Sequence, residues 1–167
     1  MKIEADRITP QPWKNGGGCT RELLRDADTP VGGDDHWRWR ISLADIEVDG
    51  PFSPFPGVQR WFAVVAGAGV ELDFGMRRSR LDASDDALAF DGTHAPACRL
   101  LAGPTRDLNL MLRGVRGVMR RAAPGVPWAE PWPLRGRFDT LTRTLAWGLP
   151  AGPLRADGAA LWIGIAA

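Results

Sequence analysis

Glycine and proline interrupt this chain too often for long helices. Twenty glycines and fourteen prolines are spread through 167 residues, and such punctuation suits short strands joined by turns. The clearest strand runs from Trp37 to Ala44, where Trp37, Trp39, Ile41 and Leu43 alternate with Arg38, Arg40 and Ser42. Period-two alternation marks a strand with one core face. After Asp45 the apolar positions move to Ile46 and Val48, a change of parity that predicts a β-bulge near Ala44–Asp45. Arg60–Gly67 reads as a buried strand and Val70–Phe74 as its hairpin partner. Ser79–Asp82 and Ala87–Phe90 are shorter strand segments. Arg99–Ala102 and Asp107–Leu112 are expected to pair around Gly103–Pro104, with Leu108, Leu110 and Leu112 on one face and Asp107, Asn109 and Met111 on the other. Val115–Arg121 continues extended, residues 122–133 form a proline-rich loop, and Phe138–Trp147 and Ala160–Ala166 are late strands. Thr20–Asp26 suits a strand or a helical turn. About ten short strands imply an antiparallel sandwich or barrel, and an up-and-down barrel or an immunoglobulin-like sandwich fits nearly as well.

The length suits one domain with a core of its own. Lys and Arg number 21 against 20 Asp and Glu, for a net charge of +1; this balance argues against a nucleic-acid binder built on phosphate neutralisation. A hydrophobic share of 44% and a charged share of 25% are those of a folded domain. The apolar stretch Trp61–Val70 is too short for a bilayer span of ~20 residues, and no cationic, apolar leader follows Met1. A cytoplasmic protein without membrane contact is therefore expected. Cys19 and Cys98 form no disulfide framework and read as two small buried hydrophobes. Two histidines and no tyrosine narrow the chemistry further. Local zinc spacings, a P-loop and a GxSxG elbow are all missing from the sequence.

The stretch Pro12-Trp13-Lys14-Asn15-Gly16-Gly17-Gly18-Cys19-Thr20-Arg21-Glu22-Leu23 resembles the opening signature of the HutD/Ves family of cupin-like proteins. Further matches follow in order: Trp39–Ala44, Asp49–Ser53, Phe55-Pro56-Gly57 with Arg60, Phe90-Asp91-Gly92 and Asp107–Met111. The resemblance implies an all-β, cupin-type jelly-roll barrel or sandwich. Residues 1–115 would form the main unit, and residues 116–167 would complete it or make a degenerate second cupin half. It also implies an association with histidine utilisation or stress response, and no defined reaction. The chain departs from metal-binding cupins, whose centres use a histidine cluster, because two histidines cannot make a three-histidine site. No metal and no cofactor are expected. Metal-free sugar-epimerase-like cupins use a His and a Tyr, and that route is closed here too.

Within the matched blocks, candidate ligand-binding residues are Trp13, Asn15, Thr20, Glu22, Arg40, Ser42, Arg60, Asp107 and Asn109. Three successive glycines bare a strip of backbone whose N–H groups can receive a carboxylate, or else bend a strand at a corner. Arg40 and Arg60 can clamp a carboxylate if they face a cavity, or form surface ion pairs if they do not. Asp107 and Asn109 share a polar strand face suited to lining a pocket, with turn capping as the bland alternative. Asp49 reads as a turn residue. His94 and His36 read as loop histidines, with His94 the better proton shuttle.

The leading expectation is a metal-free cupin that binds a small carboxylated metabolite, with a regulatory or accessory part in the pathway the resemblance implies, such as sensing a formylated glutamate. One alternative is a metal-free isomerase or hydrolase with Asp107, Glu22 or His94 as general base. Another is a ligand-free interaction module, since exposed strand edges pair readily and a homodimer is expected.

Overall fold

The computed structural model describes residues 1–26 and 37–166; His36 and the loop before it lie outside the described residues. Fifteen strands are present among them: β1 (Lys2–Glu4), β2 (Gln11–Pro12), β3 (Gly18–Arg25), β4 (Trp39–Ile46), β5 (Gly50–Pro51), β6 (Val58–Ala66), β7 (Val70–Asp73), β8 (Arg78–Leu81), β9 (Leu88–Asp91), β10 (Ala97–Leu100), β11 (Thr105–Arg113), β12 (Gly117–Arg121), β13 (Leu134–Asp139), β14 (Thr144–Trp147) and β15 (Ala160–Ile165). A single 3-10 turn, Ala5–Arg7, is the only helical element among the described residues. Consequently no helix there is long and apolar enough to cross a membrane.

The strands form three antiparallel sheets, ordered β2-β3-β4-β11-β6-β9, β5-β10-β7-β8 and β1-β14-β13-β15-β12. Eight consecutive strands pair as nested partners: β4 with β11, β5 with β10, β6 with β9, and β7 with β8. Rolling that long hairpin up brings β11 against β6 and β10 against β7. This is the connectivity of a jelly roll, in the cupin manner. The sheets stay open, so the molecule is a sandwich rather than a closed barrel. β12–β15 form a sheet of their own, completed at its edge by β1 from the other end of the chain, and the N-terminal ammonium donates to the Trp147 carbonyl at 3.0 Å.

The six-stranded sheet carries a core on each face. On one side Trp39, Ile41, Leu43, Ala63, Leu108, Leu110 and Leu112 pack against Met119, Phe138, Leu145, Leu161 and Ile163 of the third sheet. On the other, Ile46, Phe62 and Val64 pack against Val70, Leu72 and Cys98 of the four-stranded sheet. These two cores explain the parity change in β4. Its pairing with β11 runs in unbroken register from Trp39↔Leu112 to Ile46↔Thr105, so no bulge lies at Ala44–Asp45. Ile46 is buried because it looks into the second core.

The bulges fall elsewhere. β3 shifts register between Glu22 and Leu24, and the β11–β6 pairing shifts between Arg106 and Asp107. The two expected hairpins are also absent: β7 pairs with β10 and β8, not β6, and β10 lies in a different sheet from β11. At both places the chain turns a corner between sheets. Gly67 and Gly69 take φ of +91° and +102°, and a Cβ on Gly67 would meet the Pro104 carbonyl oxygen at 2.5 Å, so the two corners lie against each other. Phe138–Trp147 is two strands, β13 and β14, joined through Arg143 at φ 53°. The Thr20–Asp26 segment is strand rather than helical turn: it runs within β3 as far as Arg25.

Candidate functional site

Strand parity puts a set of polar side chains on one face of the six-stranded sheet. Even positions of β4 and odd positions of β11 share that face, because Ser42 pairs with Asn109 and Arg40 with Met111. Arg60 of β6 pairs with Met111 from the other side, and Glu22 of β3 pairs with Ser42. Together they floor a cleft of about 760 Å³. Its walls come from the N-terminal segment around Ile8, Gln11 and Trp13 and from Phe52, Ser53 and Phe55.

The glycine triplet shapes one wall. Gly16, at φ +72°, donates to the Trp13 carbonyl at 3.0 Å, and the Gly17 N–H donates to Asn15 Oδ1 at 2.8 Å. Those two N–H groups are spent inside the turn that joins β2 to β3, so neither is free to receive a carboxylate; the triplet makes a hairpin turn rather than a bend within a strand. Gly18 has no space for a side chain. A Cβ there would overlap the Asp45 carbonyl oxygen and come within 3.1 Å of the Trp13 ring. Trp13 is held over the cleft by donating its indole N–H to Thr20 Oγ1 at 2.8 Å.

The floor is built around Arg60, which is 7% exposed. Its guanidinium is flanked by the rings of Phe52, Phe55 and Phe90 at 5.2, 5.7 and 5.1 Å. Arg60 Nη2 donates to Asn109 Oδ1 at 2.9 Å, and Asn109 Nδ2 donates to Asp107 Oδ2. Arg60 Nε and Asp107 Oδ1 are buried without a hydrogen-bond partner. Burial lowers Arg60 to about 10, against the opposing pull of Asp107. Burial also raises Asp107 to about 7, outweighing the attraction of Arg60 and the Asn109 hydrogen bond.

Arg40 lies across Met111 from Arg60. Its guanidinium sits 5.4 Å from the Trp37 ring, donates to Met111 Sδ at 3.4 Å and stands 3.9 Å from Glu22. Burial lowers its pKa, Glu22 opposes that, and Arg25 adds to it. Arg25 reaches the same face because the β3 bulge turns both Leu23 and Leu24 toward the core. Arg25, Arg40, Met111 and Arg60 therefore form one cross-strand row. Like charges opposite one another on a sheet destabilise it, and here they stand around a cleft.

A profile of the HutD family matches residues 5–125. The chain belongs to the HutD family. A Pseudomonas putida relative, described as an uncharacterised 21.2 kDa protein in the hutC 3′ region, is 46% identical over 109 residues, 65% of this chain and 56% of its own. Protein Ves of Escherichia fergusonii is 32% identical over 102 residues, 60% of this chain and 51% of that one. The chain thus spans about half the length of the curated relatives it matches. HutD from Pseudomonas fluorescens SBW25 superposes with a TM-score of 0.78 at 30% identity, covering 99% of this chain and 97% of that one. A Pseudomonas aeruginosa PAO1 protein of unknown function gives 0.79 at 27% identity over 100% and 98%. Ylba of E. coli, at 11% identity and TM-score 0.64, covering 98% and 89%, shares the fold alone.

In this HutD chain all nine candidate residues, Trp13, Asn15, Thr20, Glu22, Arg40, Ser42, Arg60, Asp107 and Asn109, line the one cleft. His94 does not; it lies exposed in the turn after β9, so it is no general base for this site. Asp49 accepts from the Leu100 N–H at 2.8 Å, so it ties the segment before β5 to β10 instead of serving as the expected turn residue. Sequence reasoning missed Arg25, Lys14 and the aromatic bed of Phe52 and Phe55. The adjacent apolar pair Leu23-Leu24 was the signal for Arg25, since two successive core residues require a bulge. Among the described residues no three His, Cys, Asp or Glu side chains group to hold a metal ion.

Proposed function

We propose that the cleft binds a small carboxylated metabolite and that this HutD protein senses or buffers it, without a metal, in support of histidine utilisation. The row of Arg25, Arg40 and Arg60 carries the reading. Arg60 is the strongest member: its guanidinium bonds to an amide rather than a carboxylate, and its Nε has no partner. Four cationic side chains (Lys14, Arg25, Arg40 and Arg60) line the cleft against two acidic ones, Glu22 and Asp107. A planar guanidinium presents a fork of donors that fits a carboxylate edge, and the surrounding aromatic rings exclude water that would screen the attraction. The pathway comes from the family and from the hutC-region name of the Pseudomonas putida relative; N-formylglutamate, a dicarboxylate with an amide, suits the lining.

The test is thermal unfolding of the purified protein with N-formylglutamate, glutamate and succinate, with and without a chelator. A ligand at 100 times its Kd stabilises by about 2.7 kcal/mol, a shift of several degrees. The expected result is a chelator-independent shift with at least one of these, lost in Arg60→Met. No shift with any of them removes the reading. A second reading, catalysis, rests on the unpartnered Asp107 Oδ1 at the floor. It requires that the bound compound be consumed, which NMR of the incubated mixture reads directly.

A further inference from the structure

Asp107 sits in an arrangement that the binding of an anion would change. The side chain is 1% exposed, with one oxygen accepting from Asn109 and the other unpartnered. The nearest cation is held one residue away: Arg60 donates to the Asn109 carbonyl, and the Asn109 amide donates to Asp107. The other groups around it are few. From β6 comes Arg60, with Arg40 of β4 beyond it; Asp45, also of β4, repels. Glu22 and Arg25 of β3 and Lys14 of the N-terminal segment reach the same cleft, and Cys98 of β10 is pushed up to about 12, so its thiol stays neutral. Among the described residues no histidine lines the cleft. Burial holds the Asp107 carboxyl at about 7, so at neutral pH the ionised and protonated forms are both present.

We propose that anion binding in this cleft is proton-coupled: as a carboxylate seats on Arg40 and Arg60, Asp107 takes up one proton from solvent at Oδ1 and donates the new O–H to the ligand. The inference rests on the anion-binding reading above. A second negative charge brought into a buried site disfavours the ionised carboxyl. Engaging Arg60 with the ligand also weakens the one cation that favours ionised Asp107. Protonation turns an unpartnered acceptor into a donor, so the ligand meets no like charge. A ligand presenting an N–H to Asp107 would need the carboxylate form, and would release a proton or leave the count unchanged. The sign of the proton exchange therefore distinguishes the two chemistries.

The experiment is calorimetric titration of the full chain with succinate and with N-formylglutamate at pH 5.5 and 8, in two buffers of different ionisation enthalpy. Uptake approaching one proton per ligand is expected at pH 8, falling toward none at pH 5.5 with N-formylglutamate; succinate is itself part-protonated at pH 5.5, and the proton it releases on seating is subtracted from the count. Kd should rise by up to tenfold per pH unit above the titration of free Asp107. Asp107→Asn keeps an acceptor for the Asn109 amide, and should bind with no proton exchange and pH-independent affinity between pH 6 and 9. Binding with no uptake or with proton release at pH 8, or equal uptake by Asp107→Asn, overturns the coupling alone. No binding of either anion by the unsubstituted protein, at either pH, overturns the anion-binding reading and the coupling with it.

Discussion

The two faces of the six-stranded sheet are built from the same three central strands and do opposite things. β4, β11 and β6 turn Ile41, Leu43, Leu108, Leu110 and Ala63 toward the third sheet, where they pack into a shared apolar core. The same strands turn Arg40, Ser42, Asp107, Asn109 and Arg60 toward the cleft. A buried polar group left without a partner costs free energy, and the cleft face holds three such atoms: Arg40 Nε, Arg60 Nε and Asp107 Oδ1. The apolar face supplies the stability that lets the cleft face keep them. In this sandwich the third sheet is therefore more than an appendage, because it seals the back of the strands that carry the site.

The comparison breaks most sharply on the apolar face. Leu110→Ala removes a fully buried side chain from between two sheets and should cost about 2–5 kcal/mol in urea unfolding. Ligand affinity at a temperature where the variant stays folded should hardly change. A large loss of affinity with little loss of stability would mean that the two faces are not separable. On the cleft face the largest effect is a pH slope. The folded protein holds a proton on Asp107 up to about pH 7, whereas an unfolded Asp releases it near ~3.9. The fold binds the proton more tightly, so this contribution is full below about pH 4. It is lost as pH rises toward 7 and is flat beyond. The upper bound is about 4 kcal/mol for a shift of this size. Asp107→Asn should lack that decline, which unfolding curves at pH 4, 5.5 and 8 will show; parallel curves for the two proteins would place the Asp107 carboxyl at its ordinary value.

Much of this contrast was legible in the alternation of single strands. Asp107, Asn109 and Met111 opposite three leucines, and Arg40 and Ser42 opposite Trp39 and Ile41, already separate the two faces. What alternation cannot tell is which strand lies next to which. Period two is a property of one strand and its two sides, whereas the jelly roll pairs strands as distant as β4 and β11. The expected hairpins at Gly67–Gly69 and Gly103–Pro104 failed for that reason: a glycine corner that crosses between sheets reads like a tight turn. The misplaced bulge has the same root. Ile46 broke the pattern because a second core begins beneath it, a fact about neighbours far along the chain. The glycine triplet marks the limit at the site itself, since only the structure shows that Gly18 is required by the Asp45 carbonyl and the Trp13 ring. Gly18→Ala should cost about 1–3 kcal/mol through that overlap, and should weaken ligand binding further by displacing Trp13. If unfolding and binding are both unchanged, Trp13 is not positioned by this contact.

The smallest expected effect tests why two aspartates on adjacent strands behave oppositely. Burial raises the carboxyls of both Asp45 and Asp107. Asp45 also accepts from Arg106 Nε at 2.6 Å and from Arg21 Nη1 at 2.7 Å, and these two guanidiniums outweigh burial to leave it below the ordinary carboxylate range. Asp107 has only an amide in contact, and burial wins. The pH windows are therefore reversed. The Asp45 contribution is present above the unfolded value near ~3.9 and is lost as pH falls through the lower folded value, where protonation removes the charge that holds both arginines. For a part-buried pair of charge-assisted bonds, Asp45→Asn should cost about 1 kcal/mol at pH 7. That deficit should shrink below pH 4, where the unsubstituted protein loses the same contacts. Thermal unfolding of the two proteins at pH 7 and pH 3 reads the difference. A deficit that is as large at pH 3 as at pH 7 would mean that the Asp45 side chain matters for its shape and neutral hydrogen bonding, and that arginine contact is not what separates it from Asp107.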